Sequence, residues 1–364
     1  MQEERAFSME TDLIKLSREY LKSYYSINSF IGCTVNCAYC FLAPIQIVPM
    51  RPIMVIEEKE LIKSMMADPL FRANETVLSL NNRTDPFISE DVKASTFRLL
   101  DLMEQQGLHN IVTITSKGLL NEQDAKRLDT YHNLRIVIIV TYNGLPLNIQ
   151  PVCASVQEQT MRNVSKCKNV WLLHQFRPII PGINDSETVI RNVLGFARNY
   201  CYATIYQGIR INPFIAQRLQ KRAYIYEGVF DTHKQKSPQT DQIFETLTAE
   251  YPSYQIFDHT SCCLSFLFSK PDYNMHFSKN ACRTGCGNYS RCHSKQAIPQ
   301  WTEGSIGEAL QEIGVFSPWR IEQKVLHIDG ALNDEQKSFI KHILHIQVQA
   351  KSRENTYSEK MMEK

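Results

Sequence analysis

No apolar run in this chain reaches the roughly 18 residues that a membrane-spanning helix needs. An excess of one charge is missing too. Lys+Arg 40 against Asp+Glu 38 leaves +2 at pH 7, so no overall field draws the chain to nucleic acid or to an anionic membrane. Residues 1–15, MQEERAFSMETDLIK, place charges where a secretory signal carries its apolar core, and a cytoplasmic location is expected. Internal repeats and low-complexity tracts are absent as well. What is present is ordinary globular composition, 43% hydrophobic and 21% charged over 364 residues. That length suits one large α/β domain with appendages, or two domains.

Cysteine is the exception, with 11 in the chain. In a reducing compartment, clustered thiols point to metal or redox chemistry more than to disulfides. Cys33, Cys37 and Cys40 form one set, spaced C-x3-C-x2-C in SFIGCTVNCAYCF. Cys262, Cys263, Cys282, Cys286 and Cys292 form a second. Cys153, Cys167 and Cys201 stand singly and read as small buried hydrophobes.

Hydrophobic periodicity places a helix over 9–24, then strands at about 24–31, 75–80, 110–116, 134–143, 169–180 and 203–214. Helical segments fall between most of them. LRIVIIVTYN is a continuous β-branched run, the mark of a strand buried on both faces. Alternation at this pace implies βαβ units and a parallel sheet. Functional groups in such sheets sit at the carboxyl ends of the strands. The cysteine loop, NNRTDP, SKG, TYNG, RPIIPG and INPF all fall there.

A closed zinc site wants four ligands, and this loop offers three thiolates with no histidine nearby. Iron–sulfur cubanes are held by cysteine, normally four. Three protein ligands leave one iron open to a small chelating molecule. S-Adenosylmethionine carries the amine and carboxylate to fill that place. Reductive cleavage of its C–S bond would release a 5′-deoxyadenosyl radical able to abstract hydrogen.

CTVNCAYCF resembles the cysteine loop of the radical S-adenosylmethionine superfamily, including the aromatic before the last cysteine. INSFIGCTVNCAYC, NNRTDPF, TITSKG, IVTYN and RPIIPGIND, in that order, are similar to its spore photoproduct lyase-like branch over about residues 25–215. The resemblance implies a partial (β/α)6 barrel. It implies a 4Fe–4S cluster on Cys33, Cys37 and Cys40, and S-adenosylmethionine beside it. Tyr39 or Phe41 would lie near the adenine, Asn82 and Thr84 near the methionyl amine, and Lys117 against the methionyl carboxylate. Thr141 and Asn143 would contact carboxylate or ribose. A low-potential electron donor, flavodoxin or ferredoxin, is implied as partner. The DNA-repair enzymes of this branch carry a cysteine hydrogen donor near the second strand, and VLSLNNRTDPF has none. A shared scaffold with an unidentified substrate is therefore expected, rather than repair of the spore lesion.

Beyond the motif, period-two alternation groups Arg210 with Tyr206, Gly208 and Asn212. Were that face the lumen, Arg210 would hold an anionic group of cofactor or substrate; a rim ion pair is the plainer reading. Asp85 reads as a turn residue before Pro86, and His174 as a satisfied core histidine. In the second cysteine set, Cys262 and Cys263 would point apart in an extended chain. One of them, with Cys263 taken as the candidate, would join Cys282, Cys286 and Cys292 around a second 4Fe–4S cluster or zinc. Residues 1–24 are expected as an N-terminal helix, 25–215 as the barrel core, 216–300 as the cysteine-rich extension and 301–364 as a helical segment with a charged tail. AQRLQKRAYIY (216–226) mixes cations with aromatics, as nucleic-acid-stacking segments do. Two further readings thus stand beside the radical enzyme of unknown substrate: a nucleic-acid modifier of the same superfamily, and a metal-binding regulator without turnover.

Overall fold

The structure is a computed structural model that describes residues 13–21, 24–225, 231–235, 238–270, 272–276, 301–323 and 325–352. In chain order its strands are β1 Arg18–Leu21, β2 Tyr24–Ile27, β3 Phe30–Ile31, β4 Ile53–Met54, β5 Leu78–Leu80, β6 Ile111–Ser116, β7 Arg135–Thr141, β8 Val170–Ile179, β9 Ala203–Ile211, β10 Asp231–Gln235 and β11 Gln255–Phe257, followed by β12 Trp319–Glu322, β13 Val325–Leu332 and β14 Gln347–Ser352. The helices are α1 Glu58–Met66, α2 Glu90–Gln105, α3 Glu122–Leu128, α4 Ala154–Val164, α5 Glu187–Ala197, α6 Pro213–Gln220, α7 Pro238–Glu250, α8 Thr260–Phe268, α9 Glu303–Glu312 and α10 Asp334–Phe339.

Strands β2, β5, β6, β7, β8 and β9 run parallel in that spatial order. These are the six strands expected from periodicity. β7 shows why its sequence is apolar throughout. Ile136, Ile138 and Val140 face the helices, while Val137 and Ile139 face the interior of the curved sheet. The intervening helices start where their caps predict. Ser89, Asn121, Ser186 and Asn212 each accept a hydrogen bond from the first turn of the helix that follows.

Both ends of the sheet carry additions. β1 pairs antiparallel with β2, with Tyr20 opposite Tyr25. On the far side β9 takes β10 antiparallel at its carboxyl half and β11 parallel at its amino half. Behind β11, α8 turns back into the interior. Its Cys263 and Leu264 pack with Val77, Ile111, Val137, Leu173, Ala203 and Ile205, residues at the start or middle of the strands. The helix thereby fills the amino-end half of the barrel and leaves the carboxyl ends for the site.

Two expectations are corrected. Of the helix expected over 9–24, only 13–15 are helical among the described residues, and 18–21 form β1. The edge of β2 offers a full ladder, and Tyr20 gains an edge-on contact with Tyr25 at 5.3 Å; tertiary pairing overrides local helix preference. Residues 301–352 are not simply helical. β12, β13 and β14 form a small sheet in that order, and β13 buries Leu326 and Ile328 at strand period.

Candidate cofactor site

The cysteine loop opens immediately after β3 and is closed by the pairing of β3 with β4, Phe30 opposite Met54 and Ile31 opposite Ile53. Gly32 enters it at φ +108°. A Cβ there would lie 2.8 Å from Met50 Cε and 3.0 Å from Arg51 O, so the crossing of the loop ends needs glycine. Cys33 N donates to Ile47 O at 3.2 Å, and Met50 N to Cys33 O at 3.3 Å. Leu42, Ala43, Ile45, Ile47 and Val48 form a small apolar floor beneath Cys33, Val35 and Cys37. Asn36, in the left-handed region at φ +58°, bends the chain between the first two cysteines.

Cys33 and Cys37 are buried and Cys40 half-buried, all three as free cysteines. Burial, with the Asp85 carboxylate adding to it, pushes the Cys33 thiol up to about 12. Burial raises Cys40 as well. Thiolates in this setting therefore need a positive partner, which a metal centre supplies. Ligands of a single zinc ion would stand about 3.8 Å apart. Among the described residues the group whose ligand atoms lie within 4.8 Å of one another is His259, Cys262 and His276, not the three loop thiols. A loop of three separated thiols fits a multi-iron cluster better than one ion.

Lys117, at the end of β6, faces all three cysteines. Burial lowers its affinity for a proton, and attraction by Cys37, Asp85, Cys40 and Cys33 more than offsets this, leaving it above the ordinary lysine value. Asp85 anchors the segment. It accepts from Lys117 N at 2.8 Å, from the Ser116 hydroxyl, and from Phe87 N at 3.2 Å. The last bond makes the turn expected before Pro86; the others clamp NNRTDP to SKG. Gly118 sits where a Cβ would come within 2.3 Å of Phe87 O, so the two loops touch backbone to backbone.

Thr84, expected near the methionyl amine, is buried, and its hydroxyl has no hydrogen-bond partner among the described residues. An orphaned buried hydroxyl beside the cysteine loop suits a polar ligand group. Asn82 accepts from Ser26 Oγ at 2.7 Å. Tyr39 donates its hydroxyl to Gln150 Oε1, and Asn143 Nδ2 reaches the same oxygen at 3.3 Å and Arg177 O at 2.9 Å. Thr141 Oγ1 donates to Gln175 Oε1 at 3.0 Å. Phe41 is 51% exposed beside this network.

The lumen face of β9 is not the one carrying Tyr206. That ring stacks on Phe244 of α7 at 3.9 Å, outside the barrel, whereas Ala203 and Ile205 point inward. Arg210 is exposed near the end of the strand, and its charge, after burial, helps to lower Arg177. His174 is a satisfied core residue. Its ring nitrogens meet Thr204 Oγ1 at 2.9 Å and Tyr142 O at 2.5 Å, and burial lowers it to about 4.

Sequence reasoning missed the role of α6. Arg218 donates to Asn36 Oδ1 at 2.7 Å and Cys37 O at 2.9 Å, and Arg222 to Asn36 O at 2.8 Å and Asn148 O at 2.7 Å. Two of the three cations of AQRLQKRAYIY that suggested nucleic-acid stacking, Arg218 and Arg222, are thus engaged in holding the cysteine loop. Their four-residue spacing at the end of α6 was the available signal.

Cys282, Cys286 and Cys292 lie outside the described residues. Cys262 and Cys263 belong to α8, not to an extended chain. Cys263 is fully buried among aliphatic side chains, as a core residue is, while Cys262 is half-buried. Of the single cysteines, Cys201 is buried and Cys167 half-buried, but Cys153 is exposed, because it caps the start of α4 at the surface.

The open parallel sheet with its cysteine loop after the first parallel strand has the fold seen in solved structures of spore photoproduct lyase. Among solved structures it is similar to spore photoproduct lyase. A double mutant with bound AdoMet and dinucleoside spore photoproduct matches at TM-score 0.53 and 15% identity, over 66% of this chain and 78% of that one. A complex of the lyase with dinucleoside spore photoproduct matches at TM-score 0.54 and 14% identity, with the same coverage. No family model and no curated protein matches the sequence. Among the described residues, no helix is long and apolar enough to cross a membrane.

Proposed function

We propose that the chain is a radical S-adenosylmethionine enzyme acting on an unidentified substrate. Cys33, Cys37 and Cys40 would hold a 4Fe–4S cluster with one iron left to S-adenosylmethionine. When bound, that pair supplies a 5′-deoxyadenosyl radical by one-electron cleavage of the C–S bond, with the electron coming from a flavodoxin- or ferredoxin-type donor. The single observation that carries this reading is the convergence of the three thiols with Lys117 at one strand end.

The chain's own residues bind, orient and shield. Lys117 keeps its proton and meets the methionyl carboxylate. The Thr84 hydroxyl and Asn82 take the amine. Tyr39, held by Gln150 and Asn143, borders the adenine side with Phe41, and Thr141 lies deeper beside Gln175. Arg177, near the end of β8 and within the field of Tyr39, supplies a cation that favours an anionic group on the substrate or cofactor. The apolar floor of the loop excludes water from the cluster.

The test is anaerobic reconstitution with iron and sulfide, followed by dithionite and S-adenosylmethionine. Accumulation of 5′-deoxyadenosine is expected, with Cys37→Ala losing both the cluster's visible absorption and the cleavage. A loaded cluster without cleavage would leave a metal-binding regulator as the better description. Deuterium transfer from candidate substrates into 5′-deoxyadenosine then identifies the substrate.

A further inference from the structure

A second group of metal-ligating side chains lies away from the cysteine loop, where β11 passes into α8. His259 stands at the cap position of α8, Cys262 in its first turn, and His276 in the short segment that follows the helix. Their ligand atoms all lie within 4.8 Å of one another. The two imidazoles are 3.9 Å apart between ring centroids, tilted by 38°. Each of the three is half-buried.

Asp272 lies directly behind them and is fully buried. Its Oδ2 accepts from His276 N at 2.7 Å and from His276 Nδ1 at 2.9 Å, and stands 3.7 Å from Cys262 Sγ. Its Oδ1 accepts from Asn274 N at 3.0 Å. Ser261 Oγ is 3.2 Å from the same His276 Nδ1. A carboxylate on Nδ1 fixes the tautomer and leaves Nε2 as the donor. A metal-bound histidine is oriented in the same way by its outer partner. Two imidazoles and one thiolate are borderline-soft ligands suited to zinc, and the three donors among the described residues leave a fourth position for a further ligand.

We propose that His259, Cys262 and His276 bind one zinc-type divalent ion, with Asp272 as the positioning residue for His276. The ion fastens the segment 272–276 to the start of α8, the helix that fills the barrel interior. It replaces the expectation that Cys263 serves as ligand, since that thiol points into the aliphatic core.

The experiment uses the full chain with Cys33, Cys37 and Cys40 changed to alanine, so that cluster chemistry does not contribute. Zinc content is measured after dialysis, and cobalt(II) is titrated as a spectroscopic stand-in. One ion per chain is expected, with tetrahedral cobalt bands and a thiolate-to-cobalt charge-transfer band. Cys262→Ser should abolish that band, and His259→Asn or His276→Asn should abolish binding. Asp272→Asn should keep the site and weaken zinc by about 10- to 100-fold. Far-UV circular dichroism checks that each variant is folded; where Cys262→Ser is not, the two histidine variants decide. A folded parent that takes up no zinc, or a charge-transfer band that survives Cys262→Ser, overturns the proposal. Neither result bears on cofactor cleavage at the other loop.

Discussion

At the scale of single residues, the site depends on a few contacts that no neighbour can replace. Lys117 is held by its backbone through Asp85 and faces three thiols, and in the proposed function its ammonium would meet the incoming carboxylate. Lys117→Met should raise the S-adenosylmethionine concentration for half-maximal 5′-deoxyadenosine release about tenfold or more, as loss of a charge-assisted hydrogen bond does. Iron content should stay unchanged, and a parallel loss of iron would assign the lysine to cluster retention instead. Gly118→Ala drives a methyl into Phe87 O, with backbone on both sides to absorb it. A loss of about 1–3 kcal/mol is expected in denaturant unfolding. The thiols and the lysine were legible in the sequence because their chemistry is rare and their spacing short. Thr84 and Asn82 were reached through resemblance. Arg177 was not singled out, since a strand arginine gives no sign of its neighbours.

Helices and strands tell a similar story at the next scale. The parallel strands were readable because both their faces are covered, which makes a run such as RIVIIVT continuous. β1 was not, because a short edge strand borrows its stability from a partner chosen in three dimensions. α6 is the clearest case of an element whose role needed the fold. Asn212 caps it, Pro213 opens it, and Arg218 and Arg222 then reach the carbonyls of the cysteine loop. Changing both arginines to alanine should leave the barrel folded by circular dichroism. Iron retained after gel filtration should fall at least severalfold, because those carbonyls lose their donors. Full iron retention would show that β3–β4 pairing alone holds the loop.

For the whole molecule, the interior is divided between an apolar amino half stoppered by α8 and a polar carboxyl half carrying the site. Its stability should depend on acid through buried histidine. His174 is neutral when folded, its value lowered by burial to about 4, against about 6.5 in the unfolded chain. The unfolded state thus binds the extra proton between these values, so stability is retained above about 6.5 and lost as pH falls towards 4. Chemical denaturation should show a fall on the order of 1–2 kcal/mol between pH 7 and pH 5. His174→Gln should reduce that dependence, whatever it costs at neutral pH, with His345, likewise lowered by burial to about 4, carrying a further share.

The grip of Arg218 and Arg222 on Asn36, Cys37 and Ala38 joins positions about 180 residues apart in the chain. A nascent polypeptide emerging from the ribosome therefore exposes its three thiols long before the helix that steadies them has been made. In the proposed function, iron delivery would belong after synthesis of the barrel, and a chain released early would present those thiols to oxidants instead.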